Sequence, residues 1–227
     1  MNTSEVLPLS LLGAVFGLDV VSFPQAMISR PIVAATAAGA RVGNTGDGLL
    51  AGAVLELIAL ETLPFGASRY PEWGSAAVVG GALFASHADA GTGALALAVL
   101  AALATASVGG DSMIAHRKLN GRWARQRIEQ RAAGSRRTII GLQAAGFVVD
   151  LVRGALLTAV ALLLLHPLLT GALRSWRMDE RVSRAVVVGL AGTVAAAAAW
   201  KLFHAVPRAR WLFLGGIAFA LAVFAAR

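Results

Sequence analysis

The chain contains no cysteine, which removes disulfides, thiolate catalysis and thiolate metal sites together. Charge is scarce as well: charged residues make up 14% of the 227, against roughly a quarter in soluble globular domains. Basic residues are rarest in the first half, where residues 1–110 hold only Arg30, Arg41 and Arg69. No P-loop, dinucleotide fingerprint or nucleophile elbow occurs, so the motifs of nucleotide chemistry and acyl transfer are missing. His87, His116, His166 and His204 fall in different segments without metal-ligand spacing. Structural or interfacial roles are expected of them, and no metal, cofactor or catalytic residue is assigned. The start, MNTSEVLPLSLLG, has no basic n-region and carries Glu5 in its place. No cleaved signal peptide is therefore expected.

What the chain does have is apolar length. Hydrophobic residues reach 57% and the mean hydropathy is +0.71. Apolar segments lie at 6–23, 31–42, 47–64, 74–86, 92–109, 139–165, 185–206 and 211–226, several of them approaching the roughly 20 residues that cross a bilayer. Segments 31–42, 47–64 and 74–86 are short, glycine-rich or interrupted by acids, and read as half-spans, hairpins or tilted helices. The expected fold is all-α: a polytopic helical membrane protein of roughly six to eight spans or re-entrant half-spans.

A single membrane domain over 1–227 is expected, in three textures. Residues 1–110 are rich in Gly and Ala and hold most of the intramembrane polar residues. Residues 111–138 form a basic loop with Arg117, Lys118, Arg122, Arg125, Arg127, Arg131, Arg136 and Arg137 against Asp111 and Glu129. Residues 139–227 are longer, cleaner spans. Most of the formal charge of +8 sits in the basic loop, so the positive-inside rule explains it without nucleic acid. That loop is expected to be cytoplasmic. It is read either as topological, snorkelling to anionic lipid headgroups, or as a docking face built on Arg117, Arg122 and Arg125 for an acidic or phosphorylated partner. A second basic stretch, with Arg174, Trp176, Arg177, Arg181 and Arg184 at helical spacings, is expected along one helix at an interface.

Glu56 is the residue that most demands a reason. It stands inside LLAGAVLELIAL, otherwise apolar or small, with Gly43, Gly46, Gly48, Gly52, Pro31 and Pro64 nearby. An ionised carboxylate at membrane depth is costly and marks a cavity, an ion site or a helix-packing contact. Glu61 lies five residues on and so cannot share its helix face, which argues against a paired-carboxylate site. Arg30 precedes Pro31, a residue that starts helices and keeps its predecessor extended. It is read either as an arginine at a helix entrance or as one fixing a break beside a cavity. Asp19, in FGLDVVSF, is read either as a buried functional carboxylate or as a residue at the membrane surface.

The stretch from Gly17 to Glu72 resembles the IIC component of the mannose/fructose/sorbose branch of the bacterial sugar phosphotransferase system. The features match in order: Arg30-Pro31 opening a small-residue helix, a Gly-Asp-like turn at Gly43-Asn44, then Gly48, Gly52-x-x-Leu55-Glu56, Phe65-Gly66-Ala67 and Pro71-Glu72. Asn44 and Glu72 replace Asp in that pattern, Glu61 replaces a glycine, and Pro64 a polar residue of some relatives. The resemblance implies a multi-pass protein of the bacterial inner membrane that pairs with a IID subunit and carries a hexose-like sugar, and an oligomer is expected. A separate IIB protein phosphorylates that sugar, so the chain itself is a transport subunit and not an enzyme. The substrate-binding set implied is Glu56, Asn44, Asp47, Glu72 and Arg30. Two further readings stay open: a transport-deficient regulatory or assembly protein on the same scaffold, or an ion-coupled secondary transporter using Asp19, Glu56 and Glu61.

Overall fold

The computed structural model describes residues 3–19, 22–60, 70–129, 134–175 and 179–203, with 211, 214–216 and 218–219 in addition. Every regular element among them is helical. In chain order these are α1 (Thr3–Asp19), α2 (Pro31–Val42), α3 (Thr45–Ala59), α4 (Trp73–Ala85), a short 3-10 turn (Ala88–Ala90), α5 (Gly91–Gln126), α6 (Arg136–Arg174) and α7 (Glu180–Phe203). Among the described residues, only α5 and α6 are both long and apolar enough to cross a membrane by themselves. The 12, 15 and 13 residues of α2, α3 and α4 reach about 18–23 Å, short of a hydrocarbon core of roughly 30 Å. These three are the half-spans that the interrupted apolar segments lead one to expect.

Chain punctuation sets the short helices. Pro31 occupies the first turn of α2, where a missing N–H costs nothing. Gly43 ends it in the left-handed region (φ 94°), with its N–H bonded to Ala40 O and that of Asn44 to Gly39 O. The chain then doubles back into α3. The two helices run antiparallel at very close approach: Gly39 faces Gly48, and Gly52 faces Pro31 and Ile32. A Cβ on Gly48 would lie 2.6 Å from the Ala35 carbonyl oxygen, so no larger residue fits this seam without moving a backbone.

Helix α4 is the axis of the fold. All 13 of its residues are buried, packed against α1, α2, α3, α5 and α6. Around it Ala34, Ala35, Ala38, Leu55, Ala98 and Ala102 are fully covered. Small residues allow this density, as in membrane interiors where van der Waals packing substitutes for the hydrophobic effect. Helix α6 is the opposite case. Ile140, Val148, Val152, Leu156, Val160 and Leu164 are exposed along it, an apolar face suited to lipid.

Two organisational expectations need correction. The basic loop expected over 111–138 is helical as far as Gln126, continuing α5. Its sequence alternates good helix formers with buried Met113 and His116 three residues apart, an amphipathic face that average hydropathy hides. The second basic stretch does not form one helical face. Arg174 ends α6, whereas Arg181 and Arg184 belong to the start of α7. Trp176, Arg177, Arg131, Glu61, Pro64, the Phe65-Gly66-Ala67 motif and His204 lie outside the described residues, as does most of 211–226.

Candidate functional site

The segment between α1 and α2 builds the first polar centre. Asp19 is buried at the end of α1, and its carboxylate accepts from Ala26 N (2.7 Å), Ser29 N (3.0 Å) and Ser29 Oγ (2.8 Å). Its lone pairs go to shaping this segment. The fold-back delivers Arg30, extended ahead of Pro31 (φ −59°, ψ 133°), to the N-terminus of α2.

There Arg30 Nη2 donates to Glu56 Oε1 in an ion pair. The other carboxylate oxygen, Oε2, accepts from Ile32 N at 3.2 Å, one of the amides that the first turn of a helix leaves unpaired. Glu56 is thus held by a cation and by the positive end of α2. The pair is incompletely covered, with Arg30 30% and Glu56 17% exposed. A carboxylate offers about four lone-pair positions and a guanidinium five N–H donors. Both groups therefore retain capacity toward an incoming polar molecule.

The other expected binding residues do not join this pair. Asn44 and Asp47 sit at the closed end of the α2–α3 hairpin, where Asn44 Nδ2 lies 3.5 Å from Ala85 O at the end of α4. Twelve positions separate Asn44 from Glu56, about 18 Å along the helix axis. Glu72 is fully buried on a different helix, where it caps α4 by accepting from Ser75 N at 3.0 Å. The five residues therefore form no single constellation. The antiparallel hairpin places Arg30 and Glu56 at one end and the Asn44 turn at the other.

A second polar centre escapes the sequence reading. Asp150 and Arg153, one turn apart on α6, are joined at 2.8 Å between Arg153 Nε and Asp150 Oδ1. Ser22 Oγ donates to Asp150 Oδ2 at 2.6 Å, and Arg153 Nη1 to Ser112 Oγ at 3.1 Å. His116 Nδ1 lies 3.8 Å from Asp150 Oδ1. Glu72 Oε2 and Arg153 Nη2 are buried without a hydrogen-bond partner among the described residues. The available signal is Asp150-Leu-Val-Arg153, an i,i+3 pair of opposite charges inside an otherwise apolar segment. Of the expected docking arginines, Arg122 and Arg125 are exposed. Arg117 is not a free docking group: it donates to the Tyr70 hydroxyl and lies 5.0 Å from that ring's centroid. His87 and His166, far apart in sequence, have ring centroids 4.8 Å apart, and among the described residues no cluster of three or more metal-type ligands occurs.

Short helices paired around a partly exposed ion pair, flanked by two helices long and apolar enough to cross a bilayer, define a polytopic helical membrane protein. Residues 4–180 match the family described as the sorbose-specific IIC component of the PTS system, and the chain belongs to that family of sugar-transport components. Two solved structures share the fold. One, described only as a membrane protein, superimposes with a TM-score of 0.69 at 19% identity, covering 100% of this chain and 93% of that chain. The other is the mannose transporter ManYZ in complex with microcin E492, with a TM-score of 0.63 at 17% identity, covering 99% and 88%. Among curated proteins no match is found.

Proposed function

We propose that this chain binds and translocates a hexose-like sugar across the bacterial inner membrane as the IIC subunit of a mannose-family phosphotransferase complex. A IID subunit completes the membrane unit, and a separate IIB protein phosphorylates the sugar. The reading rests on family membership over residues 4–180 and on one observation, the partly exposed Arg30–Glu56 pair at the mouth of the α2–α3 hairpin. A sugar presents neighbouring hydroxyls that both donate and accept. Glu56 would accept from them and Arg30 donate to them, charge-assisted bonds in a site of low dielectric. Asn44, Asp47 and Glu72 then act at a distance from the sugar, through the hairpin turn and the α4 N-terminus. The likeness to ManYZ supports a two-subunit membrane assembly.

The test is phosphoenolpyruvate-dependent sugar uptake in membrane vesicles containing the complete system. Glu56→Gln and Glu56→Ala should both insert normally and lose uptake, because each removes the charged acceptor. Undiminished uptake in Glu56→Ala would overturn the site. Uptake driven by an ion gradient and indifferent to phosphoenolpyruvate would instead identify a secondary transporter.

A further inference from the structure

The groove between α5 and α6 lies outside the proposed sugar site. It encloses about 500 Å³ and is lined by Ser22, by His116, Asn120 and Trp123 of α5, and by Leu142 and Phe147 of α6, among others. A neighbouring hollow of about 370 Å³ shares Trp123 and Leu142 and extends to Arg127. Apolar residues of α6 that border the groove remain exposed, with Phe147 38% and Ile139 42% exposed.

Some polar groups of the lining are engaged, whereas Asn120 Oδ1 is buried without a partner among the described residues and Gln143 is exposed. Ser22 Oγ donates to Asp150, and His116 Nε2 lies 3.1 Å from Gly146 O. The lining is nonetheless mostly apolar, and a hydrocarbon chain would cover Trp123, Leu142 and Phe147. Arg127 lines the neighbouring hollow, Arg122 and Arg125 flank the lining residue Trp123 in the chain, and Arg136 and Arg137 closely precede the lining residue Ile139. Arg122, Arg125, Arg127, Arg136 and Arg137 are all exposed, and Glu129 is the one acid in the sequence between Arg117 and Arg137. Apolar walls open to the lipid-facing surface, with basic residues and an indole beside them, match an amphiphile with a negative head.

We propose that this groove is a binding site for an anionic phospholipid. One acyl chain lies along Trp123, Leu142 and Phe147, and the phosphate is held among Arg127, Arg136 and Arg137. Snorkelling arginines elsewhere on the surface would attract anionic lipid loosely. The groove differs by offering the chain and the head group a place together.

Trp123 supplies the probe. The full-length chain is placed in mixed micelles with phosphatidylglycerol or phosphatidylcholine brominated on the acyl chains. The quenching of Trp123 is taken as the difference between wild type and Trp123→Phe, a change that keeps a ring in the groove. Quenching by the anionic lipid should reach half-maximum at a mole fraction about tenfold lower than for the zwitterionic one, because the basic residues near the head group attract the anionic lipid. The triple variant Arg127→Gln, Arg136→Gln, Arg137→Gln should abolish that preference while leaving quenching at high lipid content intact. Equal quenching by the two lipids, or a preference that survives in the triple variant, would overturn the proposal. So would the absence of any Trp123 contribution.

Discussion

The two polar centres are built from the same chemistry, an arginine and a carboxylate, yet differ in reach. At the hairpin mouth Arg30 and Glu56 are 30% and 17% exposed; within the fold Arg153 and Asp150 are 9% and 0% exposed. A pair still touched by solvent can trade a protein partner for a ligand group at modest cost. A fully desolvated pair cannot, because each charge freed from the other stays buried. Burial thus separates a pair available for binding from one that ties α5, α6 and Ser22, in the segment after α1, together near the N-terminus of α4.

The sharpest way to break that comparison is to remove one member of each pair. Asp150→Ala strands Arg153, and also frees Ser22, in the interior. It should cost about 3–5 kcal/mol, the range for orphaning one member of a buried ion pair, measured as the loss of folded protein in graded SDS. Adding Arg153→Met should recover much of the loss, since an apolar pair of similar volume replaces two charges. If Asp150→Ala proves no more damaging than Glu56→Ala, burial does not separate the two centres.

Asp19 comes next in size, because it supports the hairpin-mouth pair from behind. Asp19→Ala leaves the amides of Ala26 and Ser29 without the acceptor that fixes them. Unsatisfied groups of this kind cost about 1–3 kcal/mol. The same variant should weaken sugar binding, since the segment Asp19 shapes carries Arg30. Stability loss with unaltered binding would show that the position of Arg30 does not depend on this fold-back. Glu56→Gln should show the reverse pattern. Its effect on stability should stay within about 1 kcal/mol, as for partly solvated pairs, while uptake is lost.

Much of this was legible in the sequence, for identifiable reasons. Pro31 and Gly43 bound α2, and the expected segments 31–42 and 74–86 fall almost residue for residue on α2 and α4. Arg30 and Glu56 stand out because charges inside an apolar, glycine- and proline-broken stretch need a local cause. What sequence does not carry is how helices face one another. Asn44 and Asp47 are near Glu56 in the chain but at the far end of an antiparallel hairpin. Arg117 reads as one of a row of surface arginines, yet Tyr70, 47 residues away, holds it inward. The hydropathy of 139–165 reads as a clean span because two charges one turn apart cancel in function but barely alter the average. Their spacing, rather than their number, was the usable signal.

A third carboxylate extends the comparison to full exposure and gives the smallest effect. Glu180 precedes the apolar part of α7 and reaches the N-terminus of α5, where it accepts from the Thr92 hydroxyl and, at 3.4 Å, from Thr92 N. The hydroxyl bond is the largest cause of a pKa held below the usual glutamate value, with the Thr92 amide and Arg184 acting in the same direction. A depressed carboxylate pKa means that the folded chain favours the ionised form. The associated stability is therefore complete above the ordinary value of about 4.5 and is lost as pH falls through the folded-state value. Glu180→Gln should lower the melting temperature slightly at about pH 6, and the gap from wild type should close toward about pH 3 as the wild-type carboxylate protonates. A gap of equal size at both pH values would mean that the contact works through packing and not through charge. A gap larger than that of Asp19→Ala would contradict the ordering by burial, because solvent at an exposed site screens most of what a charge can contribute.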